Sequence, residues 1–195
     1  MEFLDNTKNY YNEIIIKIVI VGKIETGKSF FSIRMDSKNY LEFKGMDLTY
    51  NPTIGFEYFC KKVKVKNKIF KIHIWNTCGG EIYKGIITGF YGNANLFLIF
   101  YDAFDRNSFD IAKSYLEDIK TYSNENQIGV LVRCKYENKL NFINNENIVT
   151  DEEALEYADK NDLYFFHIAI YEKYETGINE LIEFILNQYI KKIII

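Results

Sequence analysis

Proline occurs once in 195 residues, cysteine three times, histidine twice and tryptophan once. One proline and no repeat leave no Pro-rich linker or low-complexity tract to divide the chain. Cys60, Cys78 and Cys134 are scattered, odd in number and free of Cys-x-x-Cys spacing, which excludes a disulfide framework and a cysteine metal site and fits a reducing compartment. Positive charge is not in excess: 24 Lys and Arg face 27 Asp and Glu, for a formal charge of −3 and a pI near 5.5. Net charge therefore draws the protein to neither nucleic acid nor an anionic membrane, and any binding of phosphate has to be local. No stretch approaches the roughly 20 uninterrupted apolar residues of a membrane span. The opening MEFLDNTKNY has the pattern of neither a signal nor a transit peptide, and Glu2 excludes myristoylation. A cytoplasmic protein is expected.

What is present is enough apolar material for one core: 48% hydrophobic and 17% aromatic residues in a chain of single-domain length. A polar lead through residue 12 precedes a domain expected over 13–195. Ile14 to Val21 is an apolar, β-branched run that ends at Gly22 and reads as a buried strand. A helix is expected from Lys28 to about residue 39, followed by an irregular segment reaching Pro52. Residues 54–65 and 68–75 form an expected hairpin around Lys66-Asn67. Strands over 94–101, 127–132 and 163–169 then alternate with helices over 107–122, 151–159 and 176–191. That alternation predicts an α/β fold: a mostly parallel six-stranded sheet with one antiparallel strand and helices on both faces.

Gly22 to Ser29 spells GKIETGKS, which matches G-x-x-x-x-G-K-[ST] between a strand and a helix, where the phosphate-binding chemistry requires it. Glycines let the backbone wrap a phosphate chain, and successive amides with the helix N-terminus present positive ends. Lys28 reaches the terminal phosphates, and Ser29 is positioned to ligate magnesium. Phosphate contacts are accordingly expected from Gly22, Glu25, Thr26, Gly27, Lys28, Ser29 and Phe30. Glu25 is the odd member, because a carboxylate there repels phosphate unless it points outward or pairs, for instance with Lys23.

From this loop onward, over about residues 13–187, the chain resembles the Rab branch of the Ras-like small GTPases. YNPTIGFEYFCKKVKV resembles the first switch, which implies that Thr53 ligates magnesium and senses the terminal phosphate. IHIWNTCGGEIYKGIITGFYGNANLFLIFYDAFDRNSFD resembles the second switch and beyond, which implies that the Gly79 amide meets the terminal phosphate. The segment between Ser29 and Thr53 is longer than usual in the family, and the aromatic that stacks on guanine falls near Met46 or Phe43. The resemblance further implies GTP or GDP and Mg2+ as ligands, a part in vesicle traffic, and an effector face at Tyr58, Trp75 and Phe90, three aromatics that the sequence equally permits to be core. The chain stops at IKKIII without a cysteine for the lipid anchor of the family, so either the protein is soluble or a lipidated tail was removed; it is expected to be monomeric and, where peripheral on endomembranes, to be held there by partners.

The departures from the family pattern are chemical. Asn76 replaces the second-switch aspartate and can touch magnesium only through a water, without a charge. Gly80 occupies the position of the glutamine that orients the attacking water, which leaves no confident catalytic residue and implies slow hydrolysis. The guanine motif N-K-x-D falls on Cys134, Lys135, Tyr136 and Glu137, leaving Lys135 and Glu137 as base contacts; Asn138 to Asn141 offers a second register, provided that the preceding strand lengthens. The S-A-K motif falls on Ala169, Ile170 and Tyr171. Three functions are compatible with this set: a slow guanine-nucleotide switch, a pseudo-GTPase interaction module, and an ATP-using P-loop kinase, the last leaving both switch resemblances unexplained.

Overall fold

A computed structural model describes residues 2–5, 7–8, 10–36, 53–65, 67–80, 83–124, 127–136, 147–170 and 175–194. The elements in chain order are β1 (Glu2–Phe3), β2 (Glu13–Gly22), α1 (Lys28–Asp36), β3 (Phe56–Val65), β4 (Lys68–Thr77) and α2 (Lys84–Ile87), which runs into a 3-10 turn at Thr88–Phe90. They continue with β5 (Leu96–Asp102), α3 (Arg106–Tyr122), β6 (Ile128–Tyr136), α4 (Asp151–Lys160), β7 (Tyr164–Ile170), β8 (Glu175–Thr176) and α5 (Ile178–Ile194). The sheet order is β1-β3-β4-β2-β5-β6-β7-β8. Five principal strands are parallel and β3 runs antiparallel to β4, as the alternation of elements predicts. Two-residue strands, β1 on β3 and β8 on β7, extend the sheet at its two margins.

Position in the sheet accounts for composition. β2 lies between β4 and β5 with helices on both faces, so Ile16, Ile18, Val19, Ile20 and Val21 are all fully buried. Every residue of β5, LFLIFYD, is buried for the same reason. One core packs α1 and α5 on one face through Phe31, Met35, Leu181, Ile182 and Ile185. The other packs α3 and α4 on the opposite face through Phe109, Ala112, Leu116, Ala154 and Ala158. From β2 the chain reaches β4 on one side and β5 on the other, and that divergence opens a crevice beyond the C-terminal ends of the strands.

β6 runs to Tyr136, four residues beyond the expected end at Val132. The cause is Arg133, a polar residue that reads as a strand end but is buried in the sheet, pairing with Asp151 at 2.9 Å and donating to the Val149 carbonyl. A second arginine ties the same region: Arg106 binds both oxygens of Glu153, at 2.6 and 2.8 Å, and the Ile148 carbonyl at 2.7 Å. This bidentate pair joins the first turns of α3 and α4 yet is partly exposed, so Arg106→Ala is expected to cost only about 1 kcal/mol in chemical denaturation. Among the described residues, no helix is long and apolar enough to cross a membrane.

Candidate functional site: a phosphate loop and its cation end

Gly22 ends β2 with φ 140°, and a Cβ at that position would lie 2.3 Å from the Phe100 carbonyl oxygen on β5. Only glycine leaves the sheet there, which turns the chain into the crevice. Inside the loop the Lys23 carbonyl is a common anchor: the Thr26 hydroxyl and the Lys28 ammonium both donate to it at 2.7 Å. Lys28 is 5% exposed, and loss of hydration lowers its pKa from the usual 10.5 to about 7. The Ser32 hydroxyl donates to the Lys28 carbonyl at 2.9 Å and braces the start of α1. Lys23 pairs not with Glu25 but with Asp105 across the crevice, at 2.6 Å. Glu25 points into solvent with φ 65°, a left-handed backbone that side chains adopt at a cost of about 1 kcal/mol.

The three residues expected at a cation meet in one cluster. Ser29 Oγ and Thr53 Oγ1 are 2.9 Å apart, and Asn76 Nδ2 donates to Ser29 Oγ at 3.0 Å. A fourth member, Glu57, was not foreseen: its Oε2 accepts from Asn76 Nδ2 at 2.7 Å and from Thr53 Oγ1 at 3.2 Å. Because a carboxylate only accepts, the Asn76 amide nitrogen faces Glu57 and its Oδ1 turns away; that oxygen is buried without a partner among the described residues. A buried acceptor beside two hydroxyls and a carboxylate fits a hydrated hard cation such as Mg2+, which takes oxygen donors and retains waters. Gly79 closes the other side: a Cβ there would lie 2.0 Å from the Ile24 nitrogen, so its backbone rests directly on the phosphate loop. Among the described residues, a Cβ on Gly80 would meet nothing closer than the Tyr83 ring at 3.4 Å.

At the far end of the crevice, Cys134 and Lys135 lie within β6, where Cys134 pairs with Asp102 and Ile168, and Lys135 with Ala169. Cys134 is fully buried, and its carbonyl accepts from the Ala103 nitrogen at 2.8 Å. Burial, and secondarily the Arg133 charge, lowers the pKa of Lys135. β6 runs on to Tyr136, and Asn138 to Asn141 lie outside the described residues, as do Glu137, Tyr171, Phe43 and Met46.

Tyr58, Trp75 and Phe90 are brought together and are neither wholly core nor wholly surface. Trp75 stacks on Phe90 at 4.9 Å and tilts against Tyr58 at 5.2 Å, while both Trp75 and Phe90 pack partly on the α3 core. Phe56 completes the group, 4.7 Å from Phe90 and 44% exposed. Tyr58 is 45% exposed, and its hydroxyl is 2.7 Å from His73 Nδ1, a histidine whose pKa burial lowers. Cys78 is buried as a small apolar filler.

A mostly parallel sheet covered on both faces, a glycine-bounded loop leading from its central strand into a helix, and hydroxyls converging beside that loop define a P-loop nucleotide-binding protein. The Ras family model matches residues 17–191, and the chain belongs to that family of small GTPases, in its Rab-like branch. Similar proteins include the Ras-related protein Rab5 of Nicotiana tabacum, 30% identical over 171 residues covering 88% of this chain and 79% of that one. The Ras-related protein RHN1 of Nicotiana plumbaginifolia is 31% identical over 159 residues, covering 82% and 74%. The Ras-related protein Rab-2B of Dictyostelium discoideum is 29% identical over 191 residues, covering 98% and 88%.

Proposed function

We propose that this chain is a guanine-nucleotide switch of vesicle traffic that binds GTP or GDP with Mg2+ and hydrolyses GTP slowly. The observation that carries the reading is the contrast between its two halves of chemistry. The groups that hold phosphate and cation, Lys28, Ser29, Thr53 and Gly79, are grouped at one loop, whereas Gly80 has no side chain with which to orient a water. Gly22, Thr26, Gly27 and Phe30 supply the loop backbone and the start of α1, Glu25 contributes only its amide, and Lys135 with Glu137 reads the base. Turnover then depends on positive charge delivered by a partner, because an arginine in trans stabilises a phosphoryl-transfer transition state. The half-exposed group of Phe56, Tyr58, Trp75 and Phe90 serves as the effector face, since aromatics in a desolvated patch supply most of the energy of such contacts.

A second reading is favoured by one observation, Cys134 sealed in β6 where the family places a side-chain amide: a pseudo-GTPase that presents the aromatic face with nucleotide bound permanently, weakly or not at all. Calorimetric titration of nucleotide-stripped protein with GTP, GDP and ATP, each with and without Mg2+, separates the two. Submicromolar, guanine-selective and Mg2+-dependent binding is expected. No binding by folded protein would replace the switch with the pseudo-GTPase, and preference for ATP would remove guanine recognition from the assignment.

A further inference from the structure

Beyond that reading, and resting on it, we infer that Glu57 supplies the fixed negative charge of the cation site, with Asn76 supplying its geometry. The sheet creates the pair: in the antiparallel register of β3 and β4, Glu57 stands directly opposite Asn76. The cluster is otherwise neutral, made of two hydroxyls and an amide, and Glu57 is the carboxylate hydrogen-bonded to it among the described residues. A divalent cation leaving water for such a site gains little from neutral groups alone, and one anionic carboxylate changes that balance.

Proton counting adds a second argument. Thr53 has a single hydroxyl proton, and the contact with Glu57 Oε2 uses it, because a carboxylate accepts and does not donate. Ser29 must then be the donor in the 2.9 Å contact with Thr53, while its own oxygen accepts from Asn76 Nδ2. Glu57 is the terminal acceptor of this chain of hydroxyls. Each hydroxyl oxygen has spent one lone pair on a neighbour and keeps one for a cation, and the partnerless Oδ1 of Asn76 is left to accept from water on that cation. A carboxylate that merely stapled β3 to β4 would not require a buried, unpaired carbonyl beside it.

The test is the Mg2+ dependence of binding a fluorescent, non-hydrolysable GTP analogue to the full chain, from EDTA through millimolar Mg2+. Glu57→Gln keeps an acceptor for Asn76 and removes only the charge. It is expected to raise the Mg2+ concentration for half-maximal tight binding by about tenfold or more, the usual penalty for losing a partner behind a metal ligand, while affinity in EDTA stays unchanged. The charge swap Glu57→Gln with Asn76→Asp, in which the amide donates back to the carboxylate, is expected to restore the wild-type Mg2+ requirement; it also serves if Glu57→Gln alone melts at a lower temperature. An unchanged Mg2+ requirement in folded Glu57→Gln would overturn the inference while leaving the switch intact, as would a swap that folds without restoring it. A wild-type chain that binds no guanine nucleotide even in excess Mg2+ would instead remove the proposed function, and the cation site with it.

Discussion

Replacing Lys28 with methionine is expected to abolish nucleotide binding and, at neutral pH, to make the nucleotide-free protein more stable. The ammonium is almost wholly buried against one carbonyl, and its pKa falls from 10.5 to about 7. A folded-state pKa below the unfolded one means that, between about pH 7 and 10.5, the unfolded chain holds a proton that the folded chain has released. Stability therefore rises with pH through that window and carries the full cost below it, a difference on the order of a few kcal/mol. Melting temperature followed from pH 7 to 9.5 should climb more steeply for the wild type than for Lys28→Met. Phosphate supplies the missing counter-charge, so nucleotide binding at pH 8.5 should take up about one proton in the wild type, measured by calorimetry in buffers of different ionisation enthalpy. Parallel pH profiles for the two proteins would show that Lys28 carries its charge in the empty loop without penalty.

The second large effect is expected at Gly79. An alanine Cβ would lie 2.0 Å from the Ile24 nitrogen, 2.3 Å from the Lys23 carbonyl carbon and 2.7 Å from the Gly22 carbonyl oxygen. All three are backbone atoms of the phosphate loop, so no side chain can swing aside and the two loops must separate. Gly79→Ala is expected to cost about 3 kcal/mol in chemical denaturation, at the upper end for overpacking, and to weaken nucleotide binding through the displaced loop. Gly80→Ala is the internal control: its nearest neighbour among the described residues is the Tyr83 ring at 3.4 Å, so its stability should change by less than about 0.5 kcal/mol. Equal losses at the two positions would mean that the close approach to the phosphate loop is not what Gly79 contributes.

Much of this architecture was legible because it rests on local signals. The apolar runs of β2 and β5 report burial on both faces, and GKIETGKS sits between strand and helix as its chemistry demands. Signals that depend on register or on distant neighbours were not legible. Glu57 occupies a position in an alternating strand that reads as an ordinary polar residue, and only the pairing across to Asn76 gives it a place in the site. The apolar run of β6 stops at Val132, and an isolated sequence does not reveal that the buried Arg133 finds Asp151 and the Val149 carbonyl as partners. In the sequence Glu25 is a charge near phosphate, and the structure adds a backbone constraint, since φ 65° is a conformation glycine would adopt without cost.

β1 and β8 left no trace in periodicity because two residues are too few to show one. At one margin of the sheet, Glu2 and Phe3 lie beside Lys64 and Val63, the Leu4 nitrogen donates to the Lys62 carbonyl, and the buried Lys62 ammonium pairs with Glu13 at the start of β2. At the other, Glu175 and Thr176 lie beside Ile170 and Ala169. Unpaired strand margins are templates for lateral stacking of one molecule on the next. These short segments occupy part of each margin, so fewer backbone groups of β3 and β7 stay open to pairing with the strand of a second molecule.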